Sequence, residues 1–128
     1  MAKRRILVVD DEENYAKLLK MHLEAIGKFE VYYENDGEKA HEAAIEYKPE
    51  VILLDIVMPK ISGVEILSEL KKDERTLYIP VIILTAIDTQ ELKENVFERY
   101  AEDFIAKPAD AKVLISKIEA VLSRMGRF

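Results

Sequence analysis

Apolar residues occur in two kinds of block along the chain, and the two kinds alternate. Arg5-Ile-Leu-Val-Val9, Val51-Ile-Leu-Leu54 and Ile79-Pro-Val-Ile-Ile-Leu84 are short runs with little or no polar face, which predicts strands buried on both sides. Phe29-Glu-Val-Tyr-Tyr33 half alternates and predicts another strand, and Asp103-Phe-Ile-Ala106 a short fifth. Between these runs the spacing turns helical. Tyr15, Leu18, Leu19, His22, Leu23 and Ile26 share one face, and Gly27 supplies a stop. Asp36-Gly37 makes a turn, Ala40, Ala43, Ala44 and Tyr47 mark a face of mostly small residues, and Lys48-Pro49 breaks that helix. Ser62-Gly-Val-Glu65 reads as a capping box opening a helix lined by Val64, Leu67 and Leu70. Asp88-Thr89 caps a fourth helix running to about Tyr100, and Leu114, Ile118, Val121, Leu122 and Met125 stripe a last one. Strand and helix alternate five times with short connections, which predicts an α/β fold: a doubly wound parallel sheet with helices on both faces.

Composition narrows the class. At 128 residues the chain is expected to be one domain, residues 1–128, with a substantial core. There is no cysteine, so a disulfide framework and a thiolate metal site are both excluded. No run approaches the roughly 18–20 apolar residues that span a bilayer, and no signal peptide precedes the first strand, so a cytoplasmic protein with no membrane partner is expected. A net charge of −6 makes direct nucleic-acid binding a poor expectation, since phosphates are neutralised by clustered Lys and Arg. Lys3-Arg4-Arg5 is the only basic run of three and reads as a solvated terminus.

The carboxyl ends of the predicted strands carry the chemistry. Asp10 and Asp11 follow the first, Asp55 the third, Thr85 ends the fourth, and Lys107 follows the fifth. A parallel sheet places all these ends on one rim, and in a doubly wound order the first and third strands flank the switch point where ligands bind. Asp10, Asp11 and Asp55 then repel one another and need a cation to remain ionised together. Lys107 is one such cation. An oxygen-seeking metal is another, and carboxylates without His or Cys favour Mg2+. Such a site polarises a phosphodonor while a carboxylate attacks it, with Thr85 hydrogen-bonding the new phosphoryl group and Lys107 pairing with it. Taken singly, each residue has a plainer reading: acids after a strand as a helix start (as Glu12 and Glu13 are read), Thr85 as a cap, Lys107 as a surface lysine. Their coincidence on one rim favours the site. His22 and His41 lie on helices away from the rim and read as packing or surface residues.

These residues resemble the receiver domain of two-component response regulators, including the chemotaxis-regulator type, over nearly the whole chain. The matching fragments are Val8-Val9-Asp10-Asp11, Leu54-Asp55-Ile-Val-Met58-Pro59 with Gly63, Thr85-Ala86, and Asp103-Phe104-Ile-Ala-Lys107-Pro108. The resemblance implies a flavodoxin-like fold with strand order 2-1-3-4-5. It implies phosphotransfer from a sensor histidine kinase, or a phosphotransfer protein, onto Asp55. It also implies Mg2+ held by Asp11, Asp55 and the main-chain carbonyl of Val57, with Asp10 acting mostly through water. Thr85 and Phe104 become the coupled switch pair, and the Lys107-Pro108 bond is expected to be cis. Such a protein is not an enzyme in the usual sense, because it catalyses only its own phosphorylation and dephosphorylation. Its output passes to a downstream protein effector or a fused output domain. The last helical stripe runs into Arg124-Met-Gly-Arg-Phe128, where the given sequence stops, so the chain is expected to be either a free-standing regulator or a segment of a longer protein.

Other classes fit less well. A flavodoxin-type FMN protein needs a hydroxyl- and glycine-rich phosphate loop where this chain has Asp10-Asp11-Glu12-Glu13. An aspartyl-phosphate hydrolase of the haloacid-dehalogenase type carries Asp-x-Asp after its first strand, and here the aspartates are adjacent. A receiver-like docking module that works without phosphorylation is the remaining alternative. Within the receiver reading, the residues two past Asp55 and two past Thr85 are Val57 and Ile87, apolar side chains that exclude water and cannot orient it. Slow loss of the phosphoryl group is the expectation.

Overall fold

The computed structural model describes residues 2–86 and 100–126. The elements run β1 (Arg4–Val9), α1 (Glu13–Glu24), β2 (Phe29–Glu34), a 3-10 turn (Gly37–Lys39), α2 (Ala40–Tyr47), β3 (Val51–Leu54), α3 (Gly63–Lys72), β4 (Val81–Thr85), β5 (Asp103–Ala106) and α4 (Ala111–Arg124). The strands form one five-stranded sheet in the order β2-β1-β3-β4-β5, parallel throughout. This is the doubly wound arrangement that the alternating blocks predicted.

The period of two along each strand divides the core into two layers. Ile6, Val8, Val51, Leu53, Ile82 and Leu84 face α1 and α4, where Leu19, Leu23, Leu114 and Ile118 meet them. Leu7, Val9, Ile52, Leu54 and Ile83 face the other way, toward Ala40, Ala43 and Ala44 of α2 and Ile66, Leu67 and Leu70 of α3. Each such aliphatic side chain contributes roughly 1.5–3 kcal/mol by leaving water, so the three central strands are the most strongly held part of the fold. The alanines of α2 bring that helix close to the sheet, and Lys48, in the left-handed conformation, ends it.

Several local expectations change. The buried face of α1 is Ala16, Leu19 and Leu23, with Tyr15 at its edge, while Leu18 and Ile26 are each 42% exposed. Counting large apolar residues passes over Ala16, whose small side chain is fully buried in the core. In α3 Ile66 takes the core position and Val64 points outward. The capping box is half formed: Ser62 Oγ accepts from the Glu65 amide at 3.2 Å, but the Glu65 carboxylate meets the Ser62 hydroxyl, not its amide. Met125 follows α4 and is exposed. Arg4 and Arg5 are not a loose terminus; they open β1, with Arg4 paired to Glu50 and Arg5 donating to the Tyr47 carbonyl. The expected helix from Asp88 to about Tyr100 lies almost wholly outside the described residues, as does Ile87.

Candidate functional site: an acidic rim with one shared lysine

β1 and β3 are neighbours, in register from Ile6 opposite Val51 to Val9 opposite Leu54. Each is followed at once by an aspartate, and the Asp55 amide donates to the Val9 carbonyl at 2.9 Å, extending the pairing by one residue. Asp10 and Asp55 are therefore brought side by side by backbone geometry and are nearly or fully buried. Asp11 is exposed beside them. Each of the three offers a carboxylate oxygen, and these oxygens lie within 4.8 Å of one another.

The loop after Asp55 is shaped by close packing. A side chain at Gly63 would place its Cβ 2.6 Å from Ile56 Cα, so only glycine lets α3 start against the segment leaving β3. The Gly63 amide donates to the Ile56 carbonyl, and the Val57 amide to Asp55 Oδ1 at 3.2 Å. Val57 itself is 58% exposed.

From the other side, β4 and β5 deliver Thr85 and Lys107. Thr85 is fully buried, and its carbonyl accepts from the Lys107 amide at 2.9 Å. Phe104 is half-buried on the α2/α3 side of the sheet, opposite Ile83 in register. The Lys107-Pro108 bond is cis, as expected. The Lys107 Nζ lies 2.6 Å from Glu12 Oε1, 2.8 Å from Asp10 Oδ2 and 3.4 Å from Asp55 Oδ2. Asp10 Oδ2 is buried, and its contact with the ammonium is an ion pair outside hydrogen-bond alignment.

Electrostatics follow from these distances. Burial pushes the Asp55 carboxyl up to about 6; the Val57 amide pulls it down, the Asp10 charge pushes it up again, and Lys107 pulls it down. Burial opposes the charge on Lys107, but its contacts with Asp10 and Glu12, together with the Asp10 and Asp55 charges, outweigh burial and hold the ammonium above its ordinary range. Both shifts are upward although the groups are partners. The distances explain why: the ammonium is committed first to Glu12 and Asp10, leaving Asp55 incompletely compensated.

The donor set suits a hard divalent cation. Three carboxylates, one holding a buried oxygen without a hydrogen bond, and no His or thiolate among them match Mg2+ better than a softer metal. Every residue expected at the rim and lying among the described residues is at the carboxyl edge of the sheet. Two contacts of Lys107 were not anticipated, both from α1 or its cap: Glu12, read as a helix-start acid, and Tyr15, whose ring centroid is 4.7 Å from Nζ. The only signal in sequence was their nearness to Asp10 and Asp11.

A doubly wound domain with clustered acids at its switch point, a buried Thr and a Lys before a cis proline defines a class that comparison with known proteins identifies. The response regulator receiver domain family matches residues 6–119, and the chain belongs to that family. It is 37% identical over 126 residues to the phosphate regulon transcriptional regulatory protein PhoB of Pseudomonas aeruginosa, covering 98% of this chain and 55% of that protein. It is 35% identical over 123 residues to the DNA-binding dual master transcriptional regulator RpaA of Synechocystis sp., covering 96% of this chain and 51% of that one. The chain thus spans about half the length of the curated relatives it matches. Among solved structures it is similar to a response regulator from Desulfuromonas acetoxidans, with a TM-score of 0.84 and 32% identity, covering 94% of this chain and 97% of that one. It is also similar to the chemotaxis protein CheY4 of Vibrio cholerae, with a TM-score of 0.86 and 26% identity, covering 94% of this chain and 100% of that one. The fold is the flavodoxin-like receiver fold of two-component signalling proteins.

Among the described residues no helix is long and apolar enough to cross a membrane.

Proposed function

We propose that residues 1–128 act as a single receiver domain, a phosphorylation-dependent switch that accepts a phosphoryl group on Asp55. The observation that carries this reading is the state of Asp55: 3% exposed at the end of a central strand, its carboxyl pushed up to about 6, and only partly neutralised by Lys107. At neutral pH it is mostly ionised, yet more basic than an ordinary carboxylate, which suits a nucleophile. One Asp55 oxygen attacks phosphorus; the bond from phosphorus to the kinase's histidine nitrogen breaks, and its electron pair leaves with the imidazole. Lys107 and the Thr85 hydroxyl then receive the phosphoryl oxygens. Asp10, Asp11, Asp55 and the Val57 carbonyl would hold Mg2+, which when bound supplies charge neutralisation for the incoming phosphoryl group.

Thr85 and Phe104 lie on neighbouring strands and would couple the site to the surface, Thr85 moving toward the phosphoryl group and Phe104 following by packing alone. The partners are a sensor histidine kinase or phosphotransfer protein upstream and a protein effector or fused output domain downstream. The chain's chemistry is confined to its own phosphorylation and dephosphorylation. A cytoplasmic location agrees with this role. The test is to expose the protein to acetyl phosphate with Mg2+ and with excess EDTA. Phosphorylation is expected only with the cation, at an unchanged circular dichroism spectrum. Full-rate phosphorylation in EDTA would remove the metal from the account.

A further inference from the structure

We infer that Glu12 is a positioning residue that tethers the Lys107 ammonium toward α1 in the unphosphorylated protein and competes with the phosphoryl group for it. This rests on the receiver reading above and assigns a function to a residue outside the acid cluster.

Three observations converge. Glu12 occupies the N-cap of α1 but makes no side-chain cap hydrogen bond, so its carboxylate is not engaged in capping the helix amides. That carboxylate instead makes the shortest of the three contacts to Lys107, 2.6 Å against 2.8 Å for Asp10 and 3.4 Å for Asp55. Its direction is built in, because the Glu12 amide donates to Asp10 Oδ1 at 2.9 Å and pins the cap residue to the rim. One turn further, Tyr15 grips the same loop: its ring lies 4.7 Å from Nζ, and its hydroxyl accepts from the Ala109 amide at 3.0 Å. The first turn of α1 thus holds the Lys107-Pro108-Ala109 segment on both sides of the proline.

An ammonium has three donors and a compact charge, so a new anion on Asp55 must draw it from a partner it already has. Asp10 is buried and cannot turn away, whereas Glu12 is 64% exposed and can be rehydrated. Glu12 is the partner that yields. Removing its charge leaves Lys107 freer to meet a phosphoryl group.

The test uses Glu12→Gln with Glu13→Gln as a control. Glu13 sits in the same turn and pairs with Lys17, so its loss changes the local charge equally without touching Lys107. In metal-free protein, the Lys107 side-chain NMR resonances are expected to move in Glu12→Gln and to stay in Glu13→Gln. With Mg2+ and beryllium fluoride, a stand-in for a phosphoryl group, Glu12→Gln is expected to half-saturate at a roughly two- to five-fold lower fluoride-complex concentration, the range an exposed ion pair supports. Unmoved Lys107 resonances in Glu12→Gln, or an equal gain in Glu13→Gln, overturn the tether. If the parent protein takes up no beryllium fluoride, the proposed function fails, and the resonances alone decide the tether.

Discussion

Asp55 follows β3 and Asp73 follows α3, both beside a cation, and their electrostatics diverge. Asp73 follows α3 and is saturated. The Arg75 amide and Nε donate to its Oδ1 at 2.8 and 3.1 Å, Arg75 Nη2 donates to its Oδ2 at 2.8 Å, and His41 Nε2 is 2.9 Å from Oδ2. The Arg75 side-chain and backbone hydrogen bonds hold that carboxyl well below the ordinary range, with His41 adding to them. Asp55 is buried deeper, and its lysine is divided among three acids, so its carboxyl is pushed up to about 6. The lesson is that a nearby cation does not by itself quiet a carboxylate. A dedicated, bidentate partner makes Asp73 a fastener between the end of α3 and His41 of α2, while a shared one leaves Asp55 incompletely compensated.

Removing the shared cation breaks the comparison most severely. Lys107→Met strands Asp10 and Asp55 in a buried site and is expected to lower the unfolding free energy by about 3 kcal/mol at pH 7 in chelator. The deficit should shrink toward pH 5 as Asp55 takes up a proton, and shrink again when Mg2+ is added. Arg75→Met, at an exposed pair, should shift the urea midpoint little. Equal losses in the two variants would erase the distinction between a shared and a dedicated cation.

Removing the two acids gives smaller effects, a gain at Asp55 and a loss at Asp73. The folded state holds the Asp55 proton more tightly than the unfolded chain does, so this group withdraws stability as pH rises from about 4 through about 6. The upward shift sets a ceiling near ~3 kcal/mol at ~1.36 kcal/mol per pH unit, and losing the Lys107 contact offsets part of it. Asp55→Asn in metal-free protein should therefore gain about 1–2 kcal/mol at pH 7, with no gain near pH 4. Asp73 has the reverse linkage: its contribution is complete above the ordinary carboxylate range and is lost only as pH falls well below it. Asp73→Asn should lose stability at pH 7, and denaturant titrations across pH read both signs.

The smallest effect concerns water. Val57 stands two residues past Asp55, the proposed acceptor, with an apolar side chain, and Val57→Asn is expected to speed phosphoryl loss a few-fold after the donor is removed. Ile87, its expected counterpart, lies outside the described residues. An unchanged lifetime in Val57→Asn would show that this side chain does not shield the phosphoryl group.

Legibility in the sequence differs between the two aspartates. Asp55 could be placed because strand runs are visible as apolar blocks and parallel topology puts all their carboxyl ends on one rim; Asp10, Thr85 and Lys107 followed by the same logic. The Asp73 cluster could not, since His41 is 32 positions away and no periodicity links α2 to the end of α3. Glu12 was hidden differently. An acid at a helix start has a sufficient local explanation in the macrodipole, and only geometry shows its carboxylate turned to Lys107. Ala16 was passed over because small side chains carry little hydrophobic signal, although they decide how closely a helix approaches a sheet.

The central claim is that Asp55 is the residue whose incomplete neutralisation makes it the acceptor. Its most direct test is intact-mass and peptide mass spectrometry after incubation with acetyl phosphate and Mg2+, with no kinase present. The parent protein should gain one phosphoryl group, located on Asp55, and Asp55→Asn should gain none under the same conditions. A stable increment of the same size on Asp55→Asn, or one mapped to another residue of the parent, would contradict it.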